Sequence, residues 1–243
     1  MKFVPPRTVL ITGATDGIGL LLANKYASIG CQVIATGRQF LASSEDLFGT
    51  GDITYVRADQ SEPGKAAKTI LRAMEELGWA GCDLAILNAG IGWTGDPADE
   101  KASEIDAQIA VNLRAPVRIA HTLSTRILAS NGHLVLIGST AHTGAAGFAT
   151  YAATKAGLRG FARSLQEEWN GRARVQIIHP GPVRTSMHEK AGLKLGFARM
   201  MFTHPRRAAN AIMAATTRSD SEQKVSHMAS FWRGWRIPRK LRP

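Results

Sequence analysis

The chain has 243 residues, 44% of them hydrophobic and 20% charged, so it can bury one large core and is too apolar for a disordered protein. Its 24 Gly and 10 Pro residues are scattered, which excludes collagen-like and low-complexity chains. No stretch approaches the ~20 consecutive apolar residues of a membrane span, and no signal-peptide core follows the first residues. We therefore expect a soluble, cytoplasmic protein.

The net charge of +11 raises the question of a nucleic-acid or anionic-membrane partner. Much of the excess lies in residues 218–243, where seven Lys or Arg residues accompany two acidic ones. The sequence contains no helix-turn-helix pattern, zinc-finger spacing or RNA-binding aromatic motif. We therefore expect no nucleic-acid partner.

The cysteine and histidine residues indicate neither a disulfide framework nor a metal site. Cys31 and Cys82 each open an apolar run, as buried thiols do in a reducing compartment. The seven His residues show no HxxxH or Cys/His spacing, so no metal is expected. Ser139 and His142 lack the Gly-x-Ser-x-Gly elbow, which argues against a hydrolase.

Short β-branched apolar runs alternate along the chain with longer amphipathic stretches. The predicted strands are 8–12, 32–36, 53–57, 84–88, 133–139 and 175–179. Their continuous hydrophobicity is typical of a parallel sheet that is buried on both faces. The predicted helices are 17–29, 62–77, 99–128 and 151–169. The pattern predicts an α/β fold, a three-layer doubly wound parallel sheet (Rossmann fold), as a single domain over residues 1–217.

A glycine-rich turn joins the first predicted strand to the first helix. Gly13 would make the tight turn, Gly17 would admit a phosphate group, and Gly19 would let the helix approach the sheet. Backbone N–H groups and the positive end of the helix would then face a pyrophosphate. The residues expected to bind the dinucleotide here are Thr12, Gly13, Thr15, Asp16, Gly17, Ile18 and Gly19.

The second predicted strand is followed by Arg38 and not by an acidic residue. An acid at this point binds the adenosine ribose of NAD, whereas an arginine suits the 2′-phosphate of NADP. Arg38 therefore favours NADP, with NAD as the alternative. Asp16 weakens the argument, because a carboxylate directed at the 2′-phosphate would repel it.

Tyr151 and Lys155 are spaced i, i+4 at the start of a predicted helix, which places both on one face. A free tyrosine has a pKa near ~10 and is a poor acid or base at neutral pH. A neighbouring ammonium group stabilises the phenolate and would lower this pKa. The pair is therefore a candidate for general acid-base catalysis.

These features together resemble the short-chain dehydrogenase/reductase superfamily over roughly residues 5–217. Several ordered motifs carry the resemblance. They are Thr12-Gly-x-x-x-Gly-x-Gly19, Asp59, Asn88-Ala89-Gly90, Asn112, Ser139, Tyr151-x-x-x-Lys155 and Pro180-Gly181-Pro182-Val183-Arg184-Thr185.

The resemblance implies a catalytic role for four residues. Tyr151 would be the general acid in carbonyl reduction and the base in alcohol oxidation, and Ser139 would bind the substrate oxygen. Lys155 would bind the nicotinamide ribose and lower the pKa of Tyr151. Asn112 would hold a water molecule in a proton relay.

The same resemblance implies further cofactor contacts, from the adenine end to the nicotinamide. Besides the glycine turn, Arg38, Tyr151 and Lys155, the implied cofactor-binding residues are Asp59, Asn88, Ala89, Gly90, Pro180, Gly181, Val183 and Thr185.

The sequence therefore predicts an NADP-dependent oxidoreductase that transfers hydride between the cofactor and a carbonyl or alcohol. Apolar residues within a predicted lid at about 186–204 favour a hydrophobic substrate. A dehydratase or epimerase using the same Tyr-Lys pair remains open. So does a non-catalytic dinucleotide-binding sensor or a membrane-associated scaffold.

The sequence departs from the family pattern at two points. Ser139 and Tyr151 are twelve residues apart where thirteen is usual, which leaves Thr140 as a substitute donor. The family's tetramer-forming C-terminal motif is absent, so we expect a homodimer. Residues 218–243 form a basic tail with interleaved aromatic side chains. Such a tail suits peripheral contact with the inner, anionic face of a membrane.

Overall fold

The apolar runs form one seven-stranded parallel sheet in a computed structural model that describes residues 5–41, 47–49, 51–184 and 202–225. The strands are β1 Thr8–Thr12, β2 Gln32–Gly37, β3 Ile53–Arg57, β4 Leu84–Leu87, β5 His133–Ile137, β6 Arg174–Pro180 and β7 Glu222–Val225. Their order is β3-β2-β1-β4-β5-β6-β7. The order reverses between β1 and β4, as it does in a doubly wound sheet, and this confirms the predicted fold class.

Helices cover both faces of the sheet. They are α1 Gly17–Ser28, α2 Pro63–Glu76, α3 Ala102–Ile109, α4 Ala115–Ala129, α5 Ala149–Glu168 and α6 Pro205–Thr216. Leu10 packs in one core with α2, α4 and α5, whereas Val9 and Ile11 pack in the other with α1 and α6. Alternate residues of β1 thus enter opposite cores, which explains why the strand is apolar at every position.

The long helix predicted over 99–128 is interrupted. A π-helical turn over Ala110–Arg114 separates α3 from α4, and the N–H of Ala115 donates to the carbonyl of Ala110. Pro116 contributes to the break, because it has no N–H to donate to the carbonyl of Asn112 four residues earlier. Such turns are frequent at functional sites, and this one contains Asn112.

Helix α6 and strand β7 were not predicted from the sequence. Strand β7 has the sequence EQKV and lies at the edge of the sheet, where it pairs only with β6 among the described strands. The strand predictions relied on continuous apolar runs, and this polar edge strand does not contain one. Residues 222–225 therefore belong to the sheet and not to the tail that was predicted from residue 218.

Most of the predicted lid and tail falls outside the described residues, namely 186–201 of the lid and 226–243 of the tail. Among the helices that are described, none combines the length and the apolar character that crossing a membrane requires.

Candidate active site

The glycine turn packs tightly against the end of β4. Gly13 and Gly17 have positive φ angles of 64° and 56°, which side chains disfavour. A Cβ on Gly13 would lie 2.7 Å from Cα of Ala89, and one on Gly19 would lie 2.2 Å from the Gly13 carbonyl oxygen. Glycine is therefore required at these positions for the turn to reach β4 and for α1 to begin so close to the sheet.

Hydrogen bonds fasten this turn to β4. The Thr12 hydroxyl accepts from the N–H groups of Asn88 at 3.0 Å and Ala89 at 3.1 Å. The Asn88 amide donates to the carbonyls of Thr12 at 3.0 Å and Gly13 at 3.2 Å. Thr12 and Asn88 thus hold the ends of two adjacent strands in register, beside the turn that would bind a pyrophosphate.

The other predicted residues of the turn have distinct positions. Asp16 is the N-cap of α1, and its carboxylate accepts from the N–H of Gly17 at 2.6 Å. Thr15 lies against the end of β2, because a Cβ on Gly37 would be 2.5 Å from its methyl carbon. The Ile18 side chain packs against the core of α1 and α6. Cofactor contacts of these residues stay predictions.

A second arginine lies beside Arg38. Arg57 ends β3 in register with Gly37, and its Nε donates to the carbonyl oxygen of Arg38 at 3.2 Å. Both arginines are exposed. Sequence reasoning missed Arg57, although its place at the end of a predicted strand was the available signal. Asp59, two residues later, accepts from the N–H and hydroxyl of Ser61, each at 2.9 Å.

The structure brings Ser139, Tyr151 and Lys155 together at the carboxyl ends of the strands. The Ser139 side chain lies close enough to the Tyr151 phenol to lower its pKa by hydrogen bonding, so the short interval still brings Ser139 to the tyrosine. Ser139 also accepts from the N–H of Ala141 at 3.1 Å, which caps the short helical turn over Thr140–Thr143. The Lys155 ammonium lies 5.7 Å from the centre of the Tyr151 ring.

Burial shifts both pKa values of the pair towards the neutral forms. Lys155 is only 3% exposed, and burial lowers its pKa to about 8. Its ammonium donates to the Ile137 carbonyl at 2.9 Å. Burial raises the pKa of Tyr151, and the hydrogen bond from Ser139 opposes this only in part. In the cofactor-free protein desolvation dominates and the net shift is upwards, and the lowering of this pKa by Lys155 in the presence of the cofactor stays a prediction.

Asn112 is buried and joins three segments of the site. Its amide oxygen accepts from the N–H of Ile91 at 2.9 Å, while its NH₂ donates to the Ile91 carbonyl at 2.8 Å and to the Thr154 hydroxyl at 3.2 Å. These bonds tie the loop after β4 to helix α5. The side chain thus positions the site, and its predicted role with a water molecule stays a prediction.

The segment after β6 reaches the same edge of the sheet. Pro180 ends β6, and the N–H of Gly181 donates to the Val225 carbonyl at 3.3 Å. Val183 is buried and pairs with Thr203 in an isolated bridge. Thr185 lies outside the described residues, so its predicted contact with the nicotinamide stays a prediction.

Two buried histidines that sequence reasoning did not place in the site hold the backbone of Ser139. The Ser139 carbonyl oxygen lies 2.6 Å from Nδ1 of His142 and 3.1 Å from Nδ1 of His179. The centres of the two rings lie 4.1 Å apart, and the ring planes are tilted by 32°. Burial lowers the pKa of His179 to about 4, and the adjacent His142 adds to this effect. No pattern in the sequence links residues so far apart.

The residues present fit a dinucleotide. The turn of Gly13 and Gly19 joins β1 to the N-terminal end of α1, and a strand-turn-helix of this kind directs backbone N–H groups towards a phosphate group. At the other end, a Cβ on Gly90 would lie 3.4 Å from the Asn112 amide oxygen and 3.5 Å from the Lys155 ammonium. A buried ammonium carries three donors, which suits the hydroxyl groups of a ribose.

A model of the short chain dehydrogenase family matches residues 7–195. The chain belongs to the short-chain dehydrogenase family. This confirms the family that the ordered motifs predicted, and with it the assignment to NAD(P)-dependent oxidoreductases.

Individual relatives agree with this assignment. The chain is 35% identical over 192 residues to a 1-deoxy-11-beta-hydroxypentalenate dehydrogenase of Streptomyces avermitilis, which covers 75% of this chain and 70% of the relative. It is 34% identical over 179 residues to the NADP-dependent 3-hydroxy acid dehydrogenase YdfG of Escherichia coli K12, with 72% of each chain covered. Among solved structures, the closed form of a serine dehydrogenase complexed with NADP+ superposes with a TM-score of 0.81 at 26% identity, over 96% of this chain and 99% of that one.

The lowered pKa of Lys155 predicts a pH-dependent stability. Its folded-state pKa of about 8 lies below the ~10.4 of an unfolded lysine, so the unfolded chain binds more protons between these values. At pH 7 the wild type buries a charged ammonium, so Lys155→Met should have the larger free energy of unfolding. As the pH rises above 8 the wild-type ammonium loses its proton in the folded protein, so the difference in free energy of unfolding between the two proteins should shrink. Urea unfolding of the cofactor-free proteins at pH 7 to 9.5 measures the difference.

The exposed Lys68 on α2 is the matched control. A Lys68→Met protein should differ from the wild type by the same free energy at each pH. A difference for Lys155→Met that does not change with pH would contradict the prediction.

Proposed function

We propose that the protein is an NADP-dependent oxidoreductase that interconverts an apolar carbonyl compound and its alcohol. The observation that carries the proposal is the convergence of Ser139, Tyr151 and Lys155 beside Gly90. When bound, the nicotinamide supplies or accepts the hydride. The chain supplies orientation, hydrogen bonds and the proton.

Tyr151 and Ser139 act on the substrate oxygen. The raised pKa of Tyr151 keeps the phenol protonated at neutral pH, as an acid for carbonyl reduction requires. Ser139 is bonded to that phenol, so a carbonyl oxygen that meets both hydroxyl groups is polarised by two donors. Once the proton has left Tyr151, the Lys155 ammonium 5.7 Å from its ring stabilises the phenolate.

Removing the Tyr151 hydroxyl tests this mechanism. Tyr151→Phe should retain NADPH binding and lose at least ~10²-fold in kcat, since general acid catalysis contributes this much. The measurement titrates NADPH by fluorescence and then follows its consumption with a panel of apolar ketones, aldehydes and alcohols. A variant that turns over at nearly the normal rate would overturn the mechanism. Tight NADPH binding by the wild type without consumption of any substrate would favour the sensor alternative.

Two arginines support NADP over NAD. Arg38 follows β2 and Arg57 ends β3, and the bond from Arg57 to the Arg38 carbonyl places the Arg57 guanidinium beside the Arg38 backbone. Charge-assisted contacts from arginine suit a phosphate group, and the 2′-phosphate is what distinguishes NADP from NAD. We therefore assign both arginines to the 2′-phosphate.

Replacing these arginines should change cofactor preference. Arg38→Ala and Arg57→Ala should each weaken NADPH binding about tenfold or more, corresponding to ~1.4 kcal/mol, and leave NADH binding within about twofold. The exposed Arg172 donates to the carbonyl of Glu168 and lies just before β6, which is remote from β2 and β3 in the sheet, and Arg172→Ala is the control. An equal loss for both cofactors would assign the arginines to general support of the fold.

We further propose that the protein is a homodimer and that its tail contacts anionic membranes. Of the predicted tail, residues 226–243 follow β7, and their basic and aromatic residues support the membrane contact, because the former attract anionic lipid and the latter suit the interface. Removing residues 230–243 should reduce sedimentation with vesicles that contain phosphatidylserine, most strongly at low salt. Equal sedimentation of the two proteins would exclude the contact.

A further inference from the structure

Three side chains from distant parts of the sequence converge next to the Ser139 backbone. His142 lies in the turn after β5, His179 in β6 and Glu222 in β7, and a ligand atom from each lies within 4.8 Å of the others. Both histidines are buried and Glu222 is partly buried. The proposed hydride transfer uses none of these three side chains.

The shared hydrogen-bond partner of the two imidazoles determines which ring nitrogen carries the proton. Each directs Nδ1 at the carbonyl oxygen of Ser139, at 2.6 Å from His142 and 3.1 Å from His179. A carbonyl only accepts hydrogen bonds, so each Nδ1 carries the proton, and in a neutral ring Nε2 then carries a lone pair. Metal-binding histidines are oriented in this way, with the second nitrogen donating to a backbone carbonyl.

The lone pair of His179 faces a carboxylate. Its Nε2 is 3.2 Å from Oε1 of Glu222, yet it has no hydrogen-bond partner among the described residues. The oxygen therefore lies off the direction in which an N–H would point. Two ligands at ~2.0–2.1 Å from one tetrahedral zinc ion are about 3.3 Å apart and lie off each other's axes in the same manner. The distance and direction between Nε2 of His179 and Oε1 of Glu222 are thus those of two ligands bound to one metal ion.

Two arginines near Glu222 have opposite effects on metal binding: they repel a cation, and they orient the carboxylate. Nε of Arg159 lies 2.7 Å from Oε1 of Glu222, and Nε of Arg163 lies 3.7 Å from Oε2. Their positive charges oppose a bound cation, but the two side chains are 33% and 62% exposed, so solvent screens them. Hydrogen bonds of this kind also orient carboxylates that bind metals.

We propose that His142, His179 and Glu222 bind one divalent transition-metal ion of the zinc class. Two imidazoles and one carboxylate are ligands that this class accepts, and a water molecule would complete a tetrahedron. The ion would fix both imidazole rings, and through their bonds it would fix the carbonyl of Ser139. It therefore stabilises the turn that presents the Ser139 hydroxyl to Tyr151.

The test uses the full chain after dialysis against a chelator. We expect calorimetry to detect about one Zn²⁺ ion per chain, and Co²⁺ to give the visible absorption of a tetrahedral site. His142→Gln and Glu222→Gln should each weaken Zn²⁺ binding at least ~10-fold, since even outer-shell partners contribute 10–100-fold. His121, an exposed histidine on α4, provides the control, and His121→Gln should bind as the wild type does.

Thermal unfolding with and without Zn²⁺ gives a second measurement. A ligand that binds the folded protein raises its melting temperature, so the wild type and His121→Gln should gain stability where His142→Gln does not. Absence of stoichiometric binding to the wild type would overturn the proposal. Equal binding by the wild type, His142→Gln and Glu222→Gln would also overturn it, because the ion would then be held elsewhere. Neither measurement depends on the proposed reaction.

Discussion

The parallel pairing of seven strands is the constraint on which the rest of the molecule depends. Parallel strands need a crossover between each pair, so helices cover both faces and the central strands must be apolar on both sides. All carboxyl ends then meet at one edge of the sheet. The glycine turn after β1, Arg38 after β2, Asn88 after β4 and Ser139 after β5 become neighbours at this edge for that reason.

Desolvation governs the electrostatics of the candidate site. A buried phenol and a buried ammonium are both shifted towards neutrality, and this explains why the pKa of Tyr151 is raised while that of Lys155 is lowered. The sequence argument for Tyr151 started from the attraction between phenolate and ammonium. With the ammonium 5.7 Å from the ring, this attraction does not outweigh the loss of water around the phenol. The phenol is thus a proton donor in the resting protein.

Backbone groups connect the proposed reaction to the proposed metal site. The hydroxyl of Ser139 is bonded to Tyr151, and its carbonyl is held by the two histidines. Asn112 acts in a similar way on the backbone of Ile91 and on Thr154 of the helix that carries Tyr151 and Lys155. Ser139, Tyr151 and Lys155 are therefore positioned by buried polar groups that do not themselves need to touch a substrate.

Local patterns were enough to predict six strands, the glycine turn and the shared face of Tyr151 and Lys155. These features depend on burial and backbone conformation within a few residues, which the amino-acid types determine directly. The interruption at Asn112 was missed, although Pro116 was a local signal for it. The polar edge strand β7 was missed because it carries no apolar run.

Only the tertiary structure decided which distant residues meet. Arg57 reaches Arg38 because β2 and β3 pair in register, and His142, His179 and Glu222 converge because β5, β6 and β7 are adjacent. The spacing rules that argued against a metal apply to ligands on one helix or loop, whereas these three come from separate elements. The sequence by itself determined the elements and the chemistry at their ends. The order of the strands in the sheet determined which of those ends act together, because that order depends on packing between residues far apart in the chain.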